Sequence, residues 1–253
     1  MITISIDPVA FLNIRWYGIF VALAIIVIIL WLVWQVRRGA NLSYETIFTA
    51  ALVGIPSGII ISRLLHVVDR WDDYSQNLGE IVGASGLTIY GAILGAALAI
   101  WVYSKFSKFQ FGYLADLIIP GLILAQVVGR IGCTINGCCY GLPTSLPWGI
   151  VYTHPDSLAH LEVAVHPTQV YEIIYLLIIF GFVLMLRRRL RPDGSLFLVY
   201  LSLYSLWRIG IDFLREGTPF LFSLHQAQII GIIVLAITIP LLALRTRWIK
   251  AEA

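Results

Sequence analysis

Seven apolar runs, each about 20 residues long, constrain this 253-residue chain more than any other feature. A run of that length spans a lipid bilayer as a helix, because a helix satisfies all of its backbone hydrogen bonds internally. Only 12% of the residues are charged, whereas soluble domains carry roughly a quarter. The sequence therefore predicts an all-α, polytopic membrane protein whose seven transmembrane helices lie at about 17–36, 46–67, 86–104, 113–133, 168–186, 195–215 and 224–244.

Positive charge is concentrated in alternate loops, and this pattern predicts how the chain is oriented in the membrane. Cytoplasmic loops are enriched in Lys and Arg. Eleven of the 17 basic residues follow the first, third, fifth and seventh helices: Arg37, Arg38, Lys105, Lys108, Arg187, Arg188, Arg189, Arg191, Arg245, Arg247 and Lys250. We therefore expect an external N-terminus and a cytoplasmic C-terminus. Residues 1–253 should form one membrane domain, with 134–167 as an external loop or small head, and this charge pattern gives no indication of nucleic-acid binding.

The remaining basic residues are all arginines, and they fall in or near the outer half of the membrane. A charge inside a spanning segment costs several kcal/mol and marks a functional site by default. Arg15, Arg70 and Trp16 are typical of residues that anchor helices at the interface. Arg63 could pair with an aspartate of the following loop, and Arg208 with Asp212 one turn later. Together, Arg130 and Arg208 suggest a phospholipid clamp, because the guanidinium fork fits two phosphate oxygens.

The segment GRIGCTINGCCYG, residues 129–141, combines an arginine with four glycines and all three cysteines. Its glycines predict a break in the helix between Gly132 and Gly137, and such irregular backbone lines polar pockets in membrane proteins. The cysteines are compatible with small-residue packing or with a disulfide on the oxidising side of the membrane. Their spacing matches no common zinc pattern, so we expect no metal.

The order of several motifs resembles that of the prolipoprotein diacylglyceryl transferases. These motifs are RWYG at 15–18, SGIIISRL at 57–64, SGLTIYGAILG at 85–95, GRIGCTINGCCYG, HPTQVYE at 166–172 and YSLWRIGIDFLRE at 204–216. The likeness covers essentially the whole chain. Three positions depart from the family pattern: Tyr90 replaces a histidine, Cys133 an asparagine and Cys138 a glutamate.

The resemblance implies an enzyme of the outer face of the bacterial cytoplasmic (inner) membrane that needs no cofactor. Its partners would be membrane lipids and prolipoprotein signal peptides. It would transfer diacylglyceryl from phosphatidylglycerol to the lipobox cysteine thiol, the first step of lipoprotein maturation. Family roles carry over to Arg130, Arg208 and Tyr204. Other polar residues in the outer half of the membrane are added to these. The predicted catalytic residues are Arg130, Arg208 and Tyr90. The predicted lipid-binding residues are Arg130, Asn136, Gly137, Tyr17, Arg63, Tyr204, His166 and Gln169.

Two other functions remain compatible with the sequence. A family relative could use a different acceptor or lipid donor, as the replacements at Tyr90, Cys133 and Cys138 suggest. A transporter or lipid-binding protein without chemistry is the second alternative. It predicts polar residues along the whole membrane path, whereas the polar residues here are concentrated in the outer half.

Overall fold

Helices make up most of the chain. The structure is a computed structural model, and it describes residues 1–12, 14–69, 71–75, 79, 81, 89–107, 109–215 and 223–248. The helices are α1 (Trp16–Arg37), α2 (Tyr44–Asp69), α3 (Trp71–Tyr74), α4 (Ile89–Phe106), α5 (Phe111–Asn136), α6 (Thr168–Leu186), α7 (Ser195–Ile211) and α8 (Gln226–Arg245).

Six of these helices are long and apolar enough to cross a membrane: α1, α2 and α5 to α8. The described apolar part of α4, Gly91–Phe106, is shorter. A mostly helical, polytopic membrane protein is therefore confirmed. The count of seven spanning helices stays a prediction, because it depends on α4.

Seven short strands within the described ranges make the all-α description incomplete. They are β1 (Ile2–Ile4), β2 (Val9–Phe11), β3 (Ile14–Arg15), β4 (Ile150–Tyr152), β5 (Ala164–Val165), β6 (Leu190–Arg191) and β7 (Arg247–Trp248). A three-stranded sheet has the order β1-β4-β5, with β1 parallel to β4 and β4 antiparallel to β5. Strands of two or three residues are too short to show the alternating pattern by which a sequence reveals a strand.

The chain divides into two compact units. The first comprises Met1–Leu32 and Ala115–Ala253, and the second comprises Val33–Leu114. In the first unit, α5, α6 and α7 share an apolar core that contains Ile119, Ile123, Leu176, Ile179, Val183, Leu196 and Tyr200. Asp116 of α5 accepts hydrogen bonds from the backbone N–H groups of Gly194 and Phe197, both 2.8 Å long, and so caps the start of α7.

In the second unit, glycines set the close packing of α2 on α4. A Cβ at Gly95 would lie 2.6 Å from the carbonyl oxygen of Ser57, and one at Gly58 would lie 2.9 Å from that of Ala92. Small residues allow membrane helices to approach in this way. Gly95 of α4 and Gly58 of α2 therefore set how closely the two helices pack.

Candidate active site

Arg130 lies at the centre of the candidate site, where α5 approaches α6 and α7. Its Nη2 atom is 2.9 Å from Oε1 of Glu172. The hydroxyl of Tyr204 donates to the same carboxylate oxygen at 3.0 Å. The Glu172 side chain is only 2% exposed and that of Arg130 15%. Glu172 thus holds the guanidinium and the phenol side by side in a nearly dry environment.

Arg208 forms a second charged group one turn after Tyr204 on α7. Its Nη2 atom lies 3.2 Å from Oδ1 of Asp212, which confirms the predicted pairing at i+4. The other oxygen of Asp212 lies 2.9 Å from Nδ1 of His225. In the described part of the chain, the buried Nη1 atom of Arg208 has no hydrogen-bond partner. A buried cationic donor without a protein acceptor suits an anionic ligand.

Tyr204 lies close enough to interact with both arginines. Both guanidinium charges interact electrostatically with Tyr204. The phenol of Tyr17, at the start of α1, interacts with the charge of Arg130 and with Cys133, Cys138 and Cys139. The structure therefore gathers four of the predicted site residues: Tyr17, Arg130, Tyr204 and Arg208.

The C-terminus of α5 turns sharply at Gly137, one residue after the helix ends. The helix continues through Gly132 to Asn136, so the break predicted between Gly132 and Gly137 falls at the C-terminal end of that interval. Gly137 has φ +69°, and the N–H of Cys138 donates to the carbonyl of Cys133 at 3.1 Å. This is the Schellman pattern, in which a glycine in the left-handed conformation ends the helix. The glycine is required by the turn, whether or not it also contacts a ligand.

We expect Gly137→Ala to lower the free energy of unfolding by about 1–2 kcal/mol or more, because a Cβ disfavours a left-handed φ. The added methyl group would also overlap with the Ser157 hydroxyl. Thermal unfolding in detergent would measure the loss. Gly129→Ala is the matched control, since nothing lies within 4 Å of its added Cβ. A Gly137→Ala protein as stable as the control would contradict the assigned turn.

Side chains at the start of α6 fix the loop that follows this turn. The Gln169 amide donates to the carbonyl of Cys138 at 2.7 Å, and the Thr168 hydroxyl donates to that of Cys139 at 2.6 Å. Burial raises the pKa of Tyr152. Its phenol therefore stays protonated and donates to the carbonyl of Thr134 at 3.1 Å. Gln169 is only 1% exposed, so its direct role is to hold the loop.

Asn136 and His166 lie at the edge of the same unit. The Asn136 side chain accepts a hydrogen bond from Arg15 at 3.1 Å, and Arg15 also donates to the carbonyl of Asp156 at 3.2 Å. The Arg15 guanidinium therefore links α5 to the loop, and its role as an interfacial anchor stays a prediction. The ring of His166 lies 3.3 Å from the hydroxyl of Tyr171.

Arg63 and Tyr90 belong to the second unit. Arg63 donates to the carbonyl of Ile81 at 3.0 Å, and its guanidinium lies 5.1 Å from the centre of the Tyr74 ring. The expected pairing of Arg63 with an aspartate of the next loop lies outside the described residues, as does Arg70. Tyr90 is the second residue of α4, and its side chain lies outside the description.

The three cysteines are free thiols whose Sγ atoms lie within 4.8 Å of one another. Hydrogen bonds from the Cys133 and Cys138 thiols hold the pKa of Cys139 well below its ordinary range. The positive charges of Arg130 and Arg215 act in the same direction, and burial acts against them. Nη1 of Arg130 is 4.0 Å from Sγ of Cys133.

Comparison with known proteins decides the family. A family model described as prolipoprotein diacylglyceryl transferase matches residues 3–244. The chain belongs to this family. Its similarity to the phosphatidylglycerol–prolipoprotein diacylglyceryl transferase of Dehalococcoides mccartyi is 49% identity, over 98% of this chain and 96% of that protein. The proteins of the same name from Clostridioides difficile and Trichormus variabilis are 36% and 32% identical, over 90% and 91% of this chain and 90% and 84% of theirs. The membership predicted from the motifs is confirmed.

An apolar groove of about 360 Å³ lies between α6 and α7. Tyr175 and Trp207 line it and stack on each other at 4.4 Å. The Trp207 indole N–H is buried without a partner in the described ranges. The sequence analysis did not select Trp207, because tryptophan is common in membrane helices near the interface.

Glu172 is a buried charged residue whose contacts the sequence did not predict. The sequence suggests a favourable charge near the start of α6. The structure instead shows a buried carboxylate that contacts Arg130 and Tyr204. The rule that an ionisable residue inside a spanning segment marks function would have selected it.

Proposed function

We propose that this chain transfers the diacylglyceryl group of phosphatidylglycerol to the lipobox cysteine thiol of prolipoproteins, at the outer face of the bacterial cytoplasmic membrane. The family and the names of its relatives support a transferase of lipoprotein maturation. The proposed partners are phosphatidylglycerol, other membrane lipids and signal peptides with a lipobox cysteine.

The observation that carries the proposal is the unpartnered Nη1 atom of Arg208. Leaving a buried donor unsatisfied costs about 1–3 kcal/mol, and more for a charged one. A phosphate oxygen of the lipid would satisfy it. Arg130 and Arg208 both act on Tyr204, so a headgroup near that phenol would be close to both positive charges. The apolar groove beside Trp207 offers space for part of an acyl chain.

The reaction forms one bond and breaks one bond. The thiolate sulfur attacks the glyceryl carbon that is bonded to the phosphate oxygen, and a thioether forms. The electron pair of the broken C–O bond stays with the phosphate, which leaves as glycerol-1-phosphate. Arg130 and Arg208 would stabilise the negative charge that develops on this leaving group, which is the largest catalytic contribution in many enzymes.

The thiol proton needs less help than a hydroxyl proton would. A thiol with a pKa near 8.5 is partly ionised at neutral pH, and cations increase the thiolate fraction. Glu172 is engaged by Arg130 and Tyr204, which makes it a poor base. We assign to Tyr90 the role of a hydrogen-bond donor, because the usual pKa of tyrosine, near 10, is too high for it to be deprotonated at neutral pH.

The remaining proposed lipid-binding residues contribute in two ways. Tyr17, Tyr204, Arg63 and His166 would contact the headgroup or the glycerol. Asn136, Gly137 and Gln169 would shape the loop after α5, since their described contacts are with the chain itself.

Transfer from labelled phosphatidylglycerol to a lipobox peptide by the purified protein tests this function. We expect the label on the peptide, dependent on its cysteine, with release of glycerol-1-phosphate. A peptide with the lipobox Cys replaced by Ser is the control. Label on a different thiol compound alone would favour an altered acceptor. Lipid binding without any transfer would favour a non-catalytic lipid-binding protein.

We further propose one membrane domain of seven spanning helices, with the N-terminus outside, the C-terminus in the cytoplasm, the active site facing outward and 134–167 as an external loop. Thiol labelling in a background without the native cysteines tests this. We expect Asp156→Cys to react with an impermeant reagent added outside, and Arg189→Cys to react only after the membrane is permeabilised. The reverse pattern would overturn the orientation.

A further inference from the structure

The cysteines of α5 and the following turn form a cluster that the proposed transfer reaction does not use. Their sulfur atoms converge within 4.8 Å, in the described part of the chain. Cys133 is buried, at 6% exposure, and Cys138 and Cys139 are partly buried. Three converging thiols are a suitable ligand set for a metal ion, although their spacing in the sequence matches no common zinc pattern.

The backbone fixes this convergence. Gly137 ends the helix in the left-handed conformation, and Cys139 also has a positive φ, +64°. A positive φ disfavours a residue with a Cβ, so the surrounding contacts must hold Cys139 in place. Thr168 and Gln169 supply them by donating to the carbonyls of Cys139 and Cys138. The thiol arrangement is therefore part of the fold.

The cluster has the size and chemistry of a trigonal thiolate site. Metal–sulfur bonds of about 2.3 Å place three sulfur atoms in a plane about 4 Å apart. Sulfur atoms within 4.8 Å of one another reach that arrangement by small side-chain movements. Thiolates select Cu(I) and zinc, but structural zinc sites take four protein ligands. A group of three thiolates therefore favours Cu(I) over zinc.

The positive charges around the cysteines also favour a bound Cu(I)–thiolate complex. Three thiolates with one Cu(I) carry a net charge of −2. The Arg130 guanidinium is 4.0 Å from Sγ of Cys133, and the charge of Arg215 also reaches Cys139. These cations would stabilise an anionic metal–thiolate complex in a partly buried position.

We propose that Cys133, Cys138 and Cys139 bind one Cu(I) ion as a three-coordinate thiolate site. Binding releases to solvent the protons of those thiols that are still protonated, forms three Cu–S bonds and involves no oxidation or reduction. This site is additional to the proposed transfer function, and its test needs no transfer activity.

Anaerobic titration of the detergent-purified protein with Cu(I), in competition with a chromogenic chelator, measures the site. We expect one tightly bound Cu(I) per chain. X-ray absorption should show three sulfur neighbours at about 2.3 Å. Each Cys→Ser substitution should weaken binding by more than the 10–100-fold that loss of an outer-shell partner costs, while the thermal unfolding temperature shows that the variant still folds.

His154→Asn is the matched control. His154 belongs to the other described group of convergent metal-ligand atoms, with Asp7 and Asp156. Its substitution should leave Cu(I) binding unchanged. The proposal is overturned if the wild-type protein binds no Cu(I), if the Cys133→Ser/Cys138→Ser/Cys139→Ser variant binds it equally well, or if the absorption spectrum shows nitrogen or oxygen in place of sulfur.

Discussion

Arg130→Lys should lower kcat/KM for diacylglyceryl transfer on the order of 100-fold or more, while the protein still inserts and folds. Lysine keeps the positive charge and can still pair with Glu172. It loses the planar fork that grips two oxygens at once. Hydrogen bonds to charged groups contribute about 1.5–3 kcal/mol each, and 1.36 kcal/mol corresponds to a factor of ten in rate. The labelled-lipid assay measures the loss.

Arg37→Lys is the control for this prediction. Arg37 ends α1 and is exposed, so the same chemical change should leave kcat/KM near the wild-type value. Near-normal transfer by Arg130→Lys would contradict recognition of the phosphate by a bidentate guanidinium. In that case a point charge at this position would be sufficient.

Glu172→Gln should destabilise the protein by about 3–5 kcal/mol, because removing one partner of a buried ion pair leaves the other charge uncompensated. Glutamine preserves the shape and an acceptor for Tyr204, so the change isolates the charge. Unfolding in mixed detergent micelles measures the stability. Transfer activity should fall as well, since Arg130 loses the group that orients it.

Glu162→Gln provides the matched control, because Glu162 lies exposed in the 134–167 loop and surface substitutions usually change stability by less than 0.5 kcal/mol. A double-mutant cycle of Glu172→Gln with Arg130→Gln separates the pair from its surroundings. Additive losses in the cycle, or wild-type stability in Glu172→Gln, would show that the two side chains are not energetically coupled.

The sequence predicted the helical membrane architecture and the family, and both are confirmed. Apolar runs are long and continuous, so each span is visible within its own window of residues. The motifs around Arg130 and Arg208 are likewise local. Short strands such as β4 left no pattern in the sequence, because they depend on partners far along the chain.

Local sequence was less informative wherever a residue's role depends on a distant partner. Arg208 and Asp212 share one helix, so their pairing could be predicted from their spacing. Glu172 lies 42 positions after Arg130 in the chain, and only packing of α6 on α5 brings its carboxylate to 2.9 Å from the guanidinium. Arg15 reaches Asn136 across 121 positions, and this contact has no local signature.

What the sequence by itself determined was therefore where the membrane helices lie, which family they form and which arginines they carry. The tertiary structure decided what those arginines contact, where between Gly132 and Gly137 α5 ends, and that the three cysteines converge although their spacing matches no common zinc site. The physical reason is that hydropathy and helix periodicity are properties of neighbouring residues. Ion pairs, buried donors and ligand clusters are properties of side chains that meet only after the helices pack.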